Sequence, residues 1–393
     1  MALGARPWRY LSLCLVLLIA FSPTCLAIVV SDDPDLHEVT APCEYDMVGY
    51  LSSAGGTSGV LIDAWHVLTA KHAVNGYTSG TFALDLPGGR QTYNWTTSGV
   101  FMHPTADLAV VTLTSTTRTP GYGLYRATDE LYKECIMVGY GMSGTGDSVA
   151  AGGDPAYPRG TKRVGYNNID RVGSSIAYKY FQMDFDHPDF LPPDPNSSSA
   201  YLYSLGAAKE AMFALGDSGG PSFIRSGDDL LVAGIHVSVS PRDPAHWPAY
   251  GDPTLNNGDR GTDIRISAYT SWLDPFIYTP IPGDANYDAL VSVADLGILA
   301  TNYGMSSGAL WCQGNFNDDG KVDLTDLAIL SSHYGQSCDI VGRSAAPALE
   351  APDALEAPDA LEALDALDAP VPEPATMGLL LFGGLFALWR WRR

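Results

Sequence analysis

Long apolar runs are scarce in this chain of 393 residues, and basic side chains are scarcer still. Apolar stretches of any length lie only near the two ends, over 11–21 and 377–389. Each falls short of the roughly 20 apolar residues that cross a bilayer, so neither reads as a permanent span. Lysine and arginine number 22 against 44 acidic residues, for a formal charge of -22. Binding a phosphate backbone needs clustered cations, so no nucleic-acid partner is expected, and the acidity fits solubility and calcium affinity. Cysteine is also rare, at six. The length itself exceeds the about 100–200 residues of a usual domain, so two or three modules are expected.

What the first residues do contain is a signal. Arg6 and Arg9 precede the apolar run, and Cys25, Leu26 and Ala27 put small side chains where a signal peptidase reads them. Cleavage after 27 exports the chain and removes Cys14 and Cys25, leaving Cys43, Cys135, Cys312 and Cys338. An even number outside the cytosol suggests two disulfides. Pairing within each module, Cys43 with Cys135 and Cys312 with Cys338, is the expectation, with free buried thiols as its alternative.

Composition then divides the mature chain. Over 28–277 short apolar runs such as Gly59, Val60, Leu61, Ile62 and Leu108, Ala109, Val110, Val111 alternate with Gly, Pro, Asn and Asp clusters, the pattern of an all-β sandwich or barrel. A proline-containing linker covers 278–283 and a repeat covers 284–339. An Ala, Leu, Asp, Glu and Pro tract follows over 340–370, with seven acidic and no basic residues between Pro347 and Pro370. It cannot bury a core and reads as a disordered spacer.

Three motifs carry chemistry. An apolar strand, Val67, Leu68, Thr69, ends at His72; Asp107 heads the apolar strand Leu108 to Val111; and Ser218 sits among glycines in Gly216, Asp217, Ser218, Gly219, Gly220, Pro221. A serine flanked by glycine lets a substrate carbonyl approach backbone N–H groups. In type, order and spacing these motifs resemble those of the trypsin-like, chymotrypsin-fold serine peptidases over about 28–276. The strand from Cys135 to Gly141 and the closing Tyr269, Thr270, Ser271, Trp272, Leu273 are similar to further family segments. The resemblance implies two six-stranded antiparallel β-barrels with the site between them. It also implies a His72, Asp107, Ser218 triad and an oxyanion hole from the N–H groups of Gly216 and Ser218. His66, His103 and His236 are rival histidines; His66 lies in the strand leading to His72 and reads as structural.

The family's pattern is not followed throughout: Ala73 and Ile224 stand where its cysteines are usual. The residue six before the nucleophile, which the resemblance puts at the base of the primary pocket, is Met212, with Gly261 as a pocket wall. A Lys or Arg side chain would find no carboxylate partner there, so an apolar or small substrate residue is expected. In the family a newly exposed apolar N-terminus pairs with the aspartate before the nucleophile. Signal cleavage would expose Ile28 for Asp217.

The repeat places oxygen ligands at alternating loop positions, twice, 31 residues apart, as calcium prefers. The first loop offers Asp284, Asn286, Asp288, the Leu290 carbonyl, Ser292 and Asp295. The second offers Asn315, Asn317, Asp319, the Lys321 carbonyl, Asp323 and Asp326. Each ends in Asp-Leu and a short amphipathic helix, and the pair resembles a type I dockerin, whose partners are cohesins. Ala289 and Asn315 stand where glycine and aspartate are usual. A structural role is expected for calcium, and no cofactor is expected for catalysis.

At the end, Val371, Pro372, Glu373 and Pro374 precede the apolar run, then Arg390, Arg392 and Arg393. The run reaches about 20 Å against a hydrocarbon core of roughly 30 Å. Over 371–393 this resembles the PEP-CTERM sorting signal, which implies transient membrane tethering and removal by an exosortase. Two function classes follow: an exported or surface-sorted serine endopeptidase, and a non-catalytic surface or matrix protein held by its dockerin-like repeat.

Overall fold

The computed structural model describes residues 28–30, 33–145, 157–185, 205, 209–240 and 260–343. The signal segment, most of the acidic tract and the C-terminal tail lie outside these residues. A short strand β1 (Ile28–Val30) comes first. Six strands then close into a barrel: β2 (Val48–Leu51), β3 (Thr57–Leu61), β4 (His66–Thr69), β5 (Ser79–Leu86), β6 (Gly89–Met102) and β7 (Ala109–Leu113), in the order β2-β3-β4-β7-β6-β5. β3, β4 and β7 are buried along their whole length. Valine is prominent in them, and the polar residues they contain, Thr57, Ser58, His66, Thr69 and Thr112, are buried as well, as suits strands covered on both faces. Leu51, Leu61, Val67, Phe82, Leu84, Trp95, Val111 and Leu113 fill the barrel, and each such side chain stabilises the fold by about 1.5–3 kcal/mol.

The second half comprises β8 (Gly123–Leu124), β9 (Glu134–Gly139), β10 (Ser143–Thr145), β11 (Arg163–Asn168), β12 (Arg171–Ser174), β13 (Lys179–Asp184), β14 (Ala211–Met212), β15 (Pro221–Ser226), β16 (Asp229–Ser240) and β17 (Arg260–Arg265). Eight of these form one sheet, β11-β9-β15-β16-β17-β13-β12, with β8 pairing β16. A second closed barrel was the expectation; among the described residues this sheet stays open. The outer edge of β11 is taken by Glu38, bridging Arg163, and Glu210, bridging Tyr166, rather than by β12. β1 lies between β10 and β14 in a third, three-stranded sheet. A shared core of Val60, Leu68, Val138, Tyr140, Phe223 and Ile235 joins the two halves.

The expected disulfides do not form: Cys43, Cys135, Cys312 and Cys338 are all free. Cys135 is wholly buried in the second core, its Sγ 4.0 Å from Met183 Sδ, whereas Cys43 donates to Asp46 Oδ1 at 3.1 Å in a different cluster. Packing has committed the two thiols to separate surroundings, which a bond of about 2 Å cannot bridge. Cys312 and Cys338 are exposed.

After the one-turn helices α1 (Lys71–Val74) and α2 (Thr270–Leu273), the repeat supplies α3 (Val293–Asn302) and α4 (Leu324–His333). Both have matching capping boxes, Ser292 with Asp295 and Asp323 with Asp326, which satisfy otherwise orphaned N–H groups. Among the described residues no helix is long and apolar enough to cross a membrane.

The repeat packs directly on the barrel. Asp63, in the turn between β3 and β4, accepts the N–H of Tyr278 at 2.8 Å, and the Tyr278 hydroxyl donates to Asp284. The Trp65 indole donates to the Tyr287 carbonyl at 2.9 Å inside a cluster with Ala64, Tyr278, Ala289 and Ile340. His66 lies between Asp63, 2.8 Å from Nδ1, and the Val341 carbonyl, 3.0 Å from Nε2. That carbonyl also accepts from Thr112 at 2.8 Å, and the Arg343 guanidinium stands 4.7 Å from the Trp65 ring centroid. Residues 340–343, which composition assigns to the spacer, therefore lie against β4, β6 and β7. Trp65→Ala is expected to lower unfolding free energy by about 3–5 kcal/mol and to separate melting of the repeat from melting of the barrel. Denaturant unfolding of the full chain, followed by far-UV circular dichroism and tryptophan fluorescence, checks this; unchanged coincident transitions would contradict it.

Candidate active site

Strand β4 leaves the barrel at Ala70, whose extended backbone (ψ 140°) turns the chain into α1 and puts His72 at the rim. Asp107 comes from the turn before β7. His103 shapes that turn: its Nδ1 accepts the N–H groups of Thr105 at 3.3 Å and Ala106 at 2.9 Å, while its ring sits 4.8 Å from Tyr269 and 5.2 Å from Trp272. Burial and Lys71 hold the His103 imidazole below its ordinary pKa, which suits the acceptor role. Buried Ala106 and Leu108 then aim the intervening carboxylate outward.

Asp107 grips His72 at two points. Oδ1 accepts its backbone N–H at 2.9 Å, and Oδ2 lies 2.6 Å from Nδ1. With Nδ1 occupied, Nε2 is left for a reacting group. Burial pushes the Asp107 carboxyl up, but the His72 hydrogen bonds and the charges of His72 and Lys71 outweigh it and hold the carboxyl below the usual range.

Ser218 lies in a turn that only glycine permits. Gly216 has φ +99° and Gly219 φ +84°, a region that side chains with Cβ avoid. Between them Asp217 is fully buried, Oδ1 accepting Gly141 N–H at 2.7 Å and Oδ2 accepting Ala214 N–H at 2.7 Å. Burial raises its pKa, while hydrogen bonds from the Ala214, Gly141 and Ile28 backbones and the charge of His236 oppose the rise. Ser58 of β3 holds the turn from the closed barrel: its N–H donates to the Ser218 carbonyl at 3.0 Å, its Oγ donates to the Gly216 carbonyl at 3.2 Å, and the same Oγ accepts Tyr140 N–H at 2.9 Å. A Cβ at Gly219 would come within 2.0 Å of Thr69 Oγ1 and 3.0 Å of Ala70 N. The serine turn thus packs on Thr69 at the end of β4 and on Ala70, three and two residues before His72.

The other expected site residues also have places. Ile28 is buried with φ +64° and its backbone reaches Asp217. Met212 and Gly261 adjoin one another, since a Cβ at 261 would lie 2.5 Å from Met212 Sδ and 2.7 Å from Phe213. His236 is buried against Asp263 at 2.9 Å and stacked 4.2 Å from Phe213. Sequence reading passed over Ser58, which looks like any strand serine, and Arg159, which lies in no motif.

In the repeat, the two loops share most of their hydrogen bonds. Asp295 accepts the N–H groups of Ala285 (2.9 Å) and Ser292 (2.8 Å), and Asp326 accepts those of Phe316 (2.7 Å) and Asp323 (2.9 Å). Asp288 N–H donates to Asp284, and Asp319 N–H to Asn315, both at 3.2 Å. Among the described residues no group of three or more His, Cys, Asp or Glu side chains converges as a metal site. A hard cation would therefore need the amide and carbonyl oxygens of these loops as well. Burial, with Asp295 and Asp288 nearby, pushes the Asp284 carboxyl up to about 6 despite its hydrogen bonds.

Because Asp107 is held below its ordinary pKa, it contributes stability above the unfolded value of about 3.9. That contribution disappears as pH falls through the lower folded value. Asp107→Asn is expected to flatten this part of the acid unfolding limb, measured by denaturant titration from about pH 5 to about pH 2; an unchanged limb would count against the pairing.

Residues 370–393 match the family model described as the PEP-CTERM protein-sorting motif. That motif marks a chain for export and sorting to the cell surface. Among solved structures the chain is similar to neuropsin, a serine protease expressed in the limbic system of mouse brain. Identity is 16%, the TM-score 0.42, and the match covers 62% of this chain and 99% of that one. None of the curated proteins matches the chain.

Proposed function

We propose that the chain is an exported serine endopeptidase that cleaves peptide bonds through an acyl-enzyme on Ser218. The observation that carries this is the two-point grip of Asp107 on His72 at the strand end against which the Ser218 turn packs. In this reading His72 Nε2 takes the proton from the Ser218 hydroxyl as Oγ adds to the substrate carbonyl carbon. Negative charge gathers on the carbonyl oxygen, where the N–H groups of Gly216 and Ser218 receive it. The tetrahedral adduct collapses, the C–N bond breaks, and His72 returns the proton to the departing amine. Water then repeats the cycle on the ester. Asp107 keeps the imidazole oriented and stabilises its charged form throughout.

Met212 and Gly261 favour an apolar or small residue at the primary position, because neither offers a charge partner. After signal cleavage the amine of Ile28 would pair with Asp217, so the mature chain is born active. The two repeat loops would each hold one Ca2+ through the oxygens named above. There the ion neutralises crowded carboxylates and stiffens the repeat. Its surface is the candidate for a cohesin-like partner, and the PEP-CTERM segment is the candidate for exosortase processing.

Ser218→Ala or His72→Ala is expected to lower kcat by about 10^4–10^6-fold, and Asp107→Asn by about 10^4-fold. Fluorophosphonate labelling of the secreted chain and cleavage of peptides with Ala, Leu, Phe, Lys or Glu at the primary position check the chemistry and the specificity together. A wild type that neither labels nor cleaves refutes the peptidase reading in favour of a binding protein, and fastest cleavage after Lys or Glu refutes the apolar pocket. Chelation of Ca2+ is expected to lower the melting temperature by several degrees, an effect that Asp295→Ala abolishes at the first loop. A melting curve indifferent to Ca2+ would dispose of the metal assignment.

A further inference from the structure

One cation stands beside the nucleophile turn without an assigned task. Arg159 donates from Nη1 to three successive carbonyls, Ala54 at 3.3 Å, Gly55 at 3.0 Å and Gly56 at 2.9 Å. Ala54, Gly55 and Gly56 all have positive φ, +54°, +74° and +98°, so the turn curls its carbonyls around one nitrogen. Further back the same side chain lies along Gly216: a Cβ there would stand 2.7 Å from Arg159 Nε and 2.8 Å from Cδ. The guanidinium therefore joins the turn between β2 and β3 to the residue that opens the serine turn. Its partners among the described residues are backbone carbonyls, which orient the charge but do not cancel it.

We propose that Arg159 is a positioning residue for the oxyanion-binding turn, holding Gly216 in its left-handed conformation and setting a positive charge beside the N–H groups that meet the developing oxyanion. This rests on the peptidase reading of Ser218. The substrate carbonyl is neutral, and the adduct formed by Ser218 Oγ carries a full negative charge on oxygen. A fixed cation nearby therefore favours the transition state over the bound substrate. Holding Gly216 matters for the same reason. Donors aimed before the reaction need no rearrangement during it, and a free Gly216 could turn its N–H away. Ser58 anchors the Gly216 carbonyl from β3, and Arg159 packs on the Cα, so the peptide is constrained from two sides. A planar five-donor fork can serve three carbonyls and still present N–H groups elsewhere, which a lysine cannot do.

The test uses the full secreted chain with Arg159→Gln, Arg159→Lys and Arg159→Ala. It measures kcat and KM on one neutral peptide substrate and one with acidic side chains, and affinity for a peptidyl trifluoromethyl ketone, which adds Ser218 to give a tetrahedral oxyanion. Arg159→Gln and Arg159→Ala are expected to lower kcat by about 10–100-fold with KM changed less than about threefold. Ketone affinity should fall by the same factor as kcat/KM, and Arg159→Lys should recover part of the loss by restoring charge. Melting curves guard against misfolding, with the Gln and Lys variants retained if Ala unfolds. Wild-type kcat in Arg159→Gln, or a loss confined to KM on substrates with acidic side chains, overturns the proposal and, in the second case, makes Arg159 a substrate contact. A wild type that fails to react with fluorophosphonate overturns the peptidase reading and this role together, whereas a reactive wild type with an indifferent Arg159→Gln overturns this role alone.

Discussion

A buried carboxylate organises the candidate site. Asp217 is fully enclosed, and an enclosed charge without hydrogen bonds is among the costliest features a fold can carry. Its oxygens therefore dictate where three separate pieces of chain must be. Ala214 closes the serine turn on itself, Gly141 brings in the segment after β9, and Ile28 brings in the first strand. Neither Gly139 nor Gly141 could carry a side chain there, since a Cβ would meet Asp217 at 1.9 Å and 2.5 Å. The geometry around Ser218 is thus the by-product of satisfying one anion. The serine turn inherits its rigidity from a carboxylate buried beneath it.

The two halves of the site depend on each other through backbone rather than through side-chain charge. Ser58 and Thr69, on adjacent strands of the closed barrel, meet the serine turn from the open sheet, and Thr69 donates in turn to the Ser58 carbonyl at 2.9 Å. A closed barrel is a stiff platform because its strands have no free edge. His72 and Asp107 both leave that platform at strand ends, so their mutual geometry is set by the register of β4 and β7, where Thr69 pairs with Ala109.

The repeat bears on the same platform from the other end of β4. His66 begins that strand and His72 follows its end, so the strand that presents the imidazole is anchored at its far side by Asp63, Tyr278 and the carbonyl of Val341. Composition separates the two units cleanly, because a linker with prolines and an acidic tract look like spacers whatever they touch. Packing makes the boundary less sharp. Tyr278 and Ile340 bury themselves between Trp65, Tyr287 and Ala289, since aromatic and branched side chains near a large apolar surface gain more from contact than from solvent.

Much was legible in the residues alone. The short apolar runs around Val60, Leu68 and Val110 became β3, β4 and β7, and the offset of 31 residues reappears as two loops that share most of their hydrogen bonds. Local chemistry decides such things: strand patterning, capping boxes and glycine turns act over a few residues, and the order His72, Asp107, Ser218 is visible in one dimension. Other features were set at a distance. The pairing of cysteines failed because Cys43 and Cys135 are sorted into different cores, which spacing cannot foretell. Among the described residues the second sheet stays open, with Glu38 and Glu210 at the edge of β11, contacts that span long stretches of chain. Arg159 gains its place beside Gly216 only when residues far apart in sequence fold together. The sequence by itself determined which chemical groups this protein has and in what local conformations. The tertiary structure decided which of them meet, because the burial and backbone satisfaction that bring them together are properties of the whole packed chain.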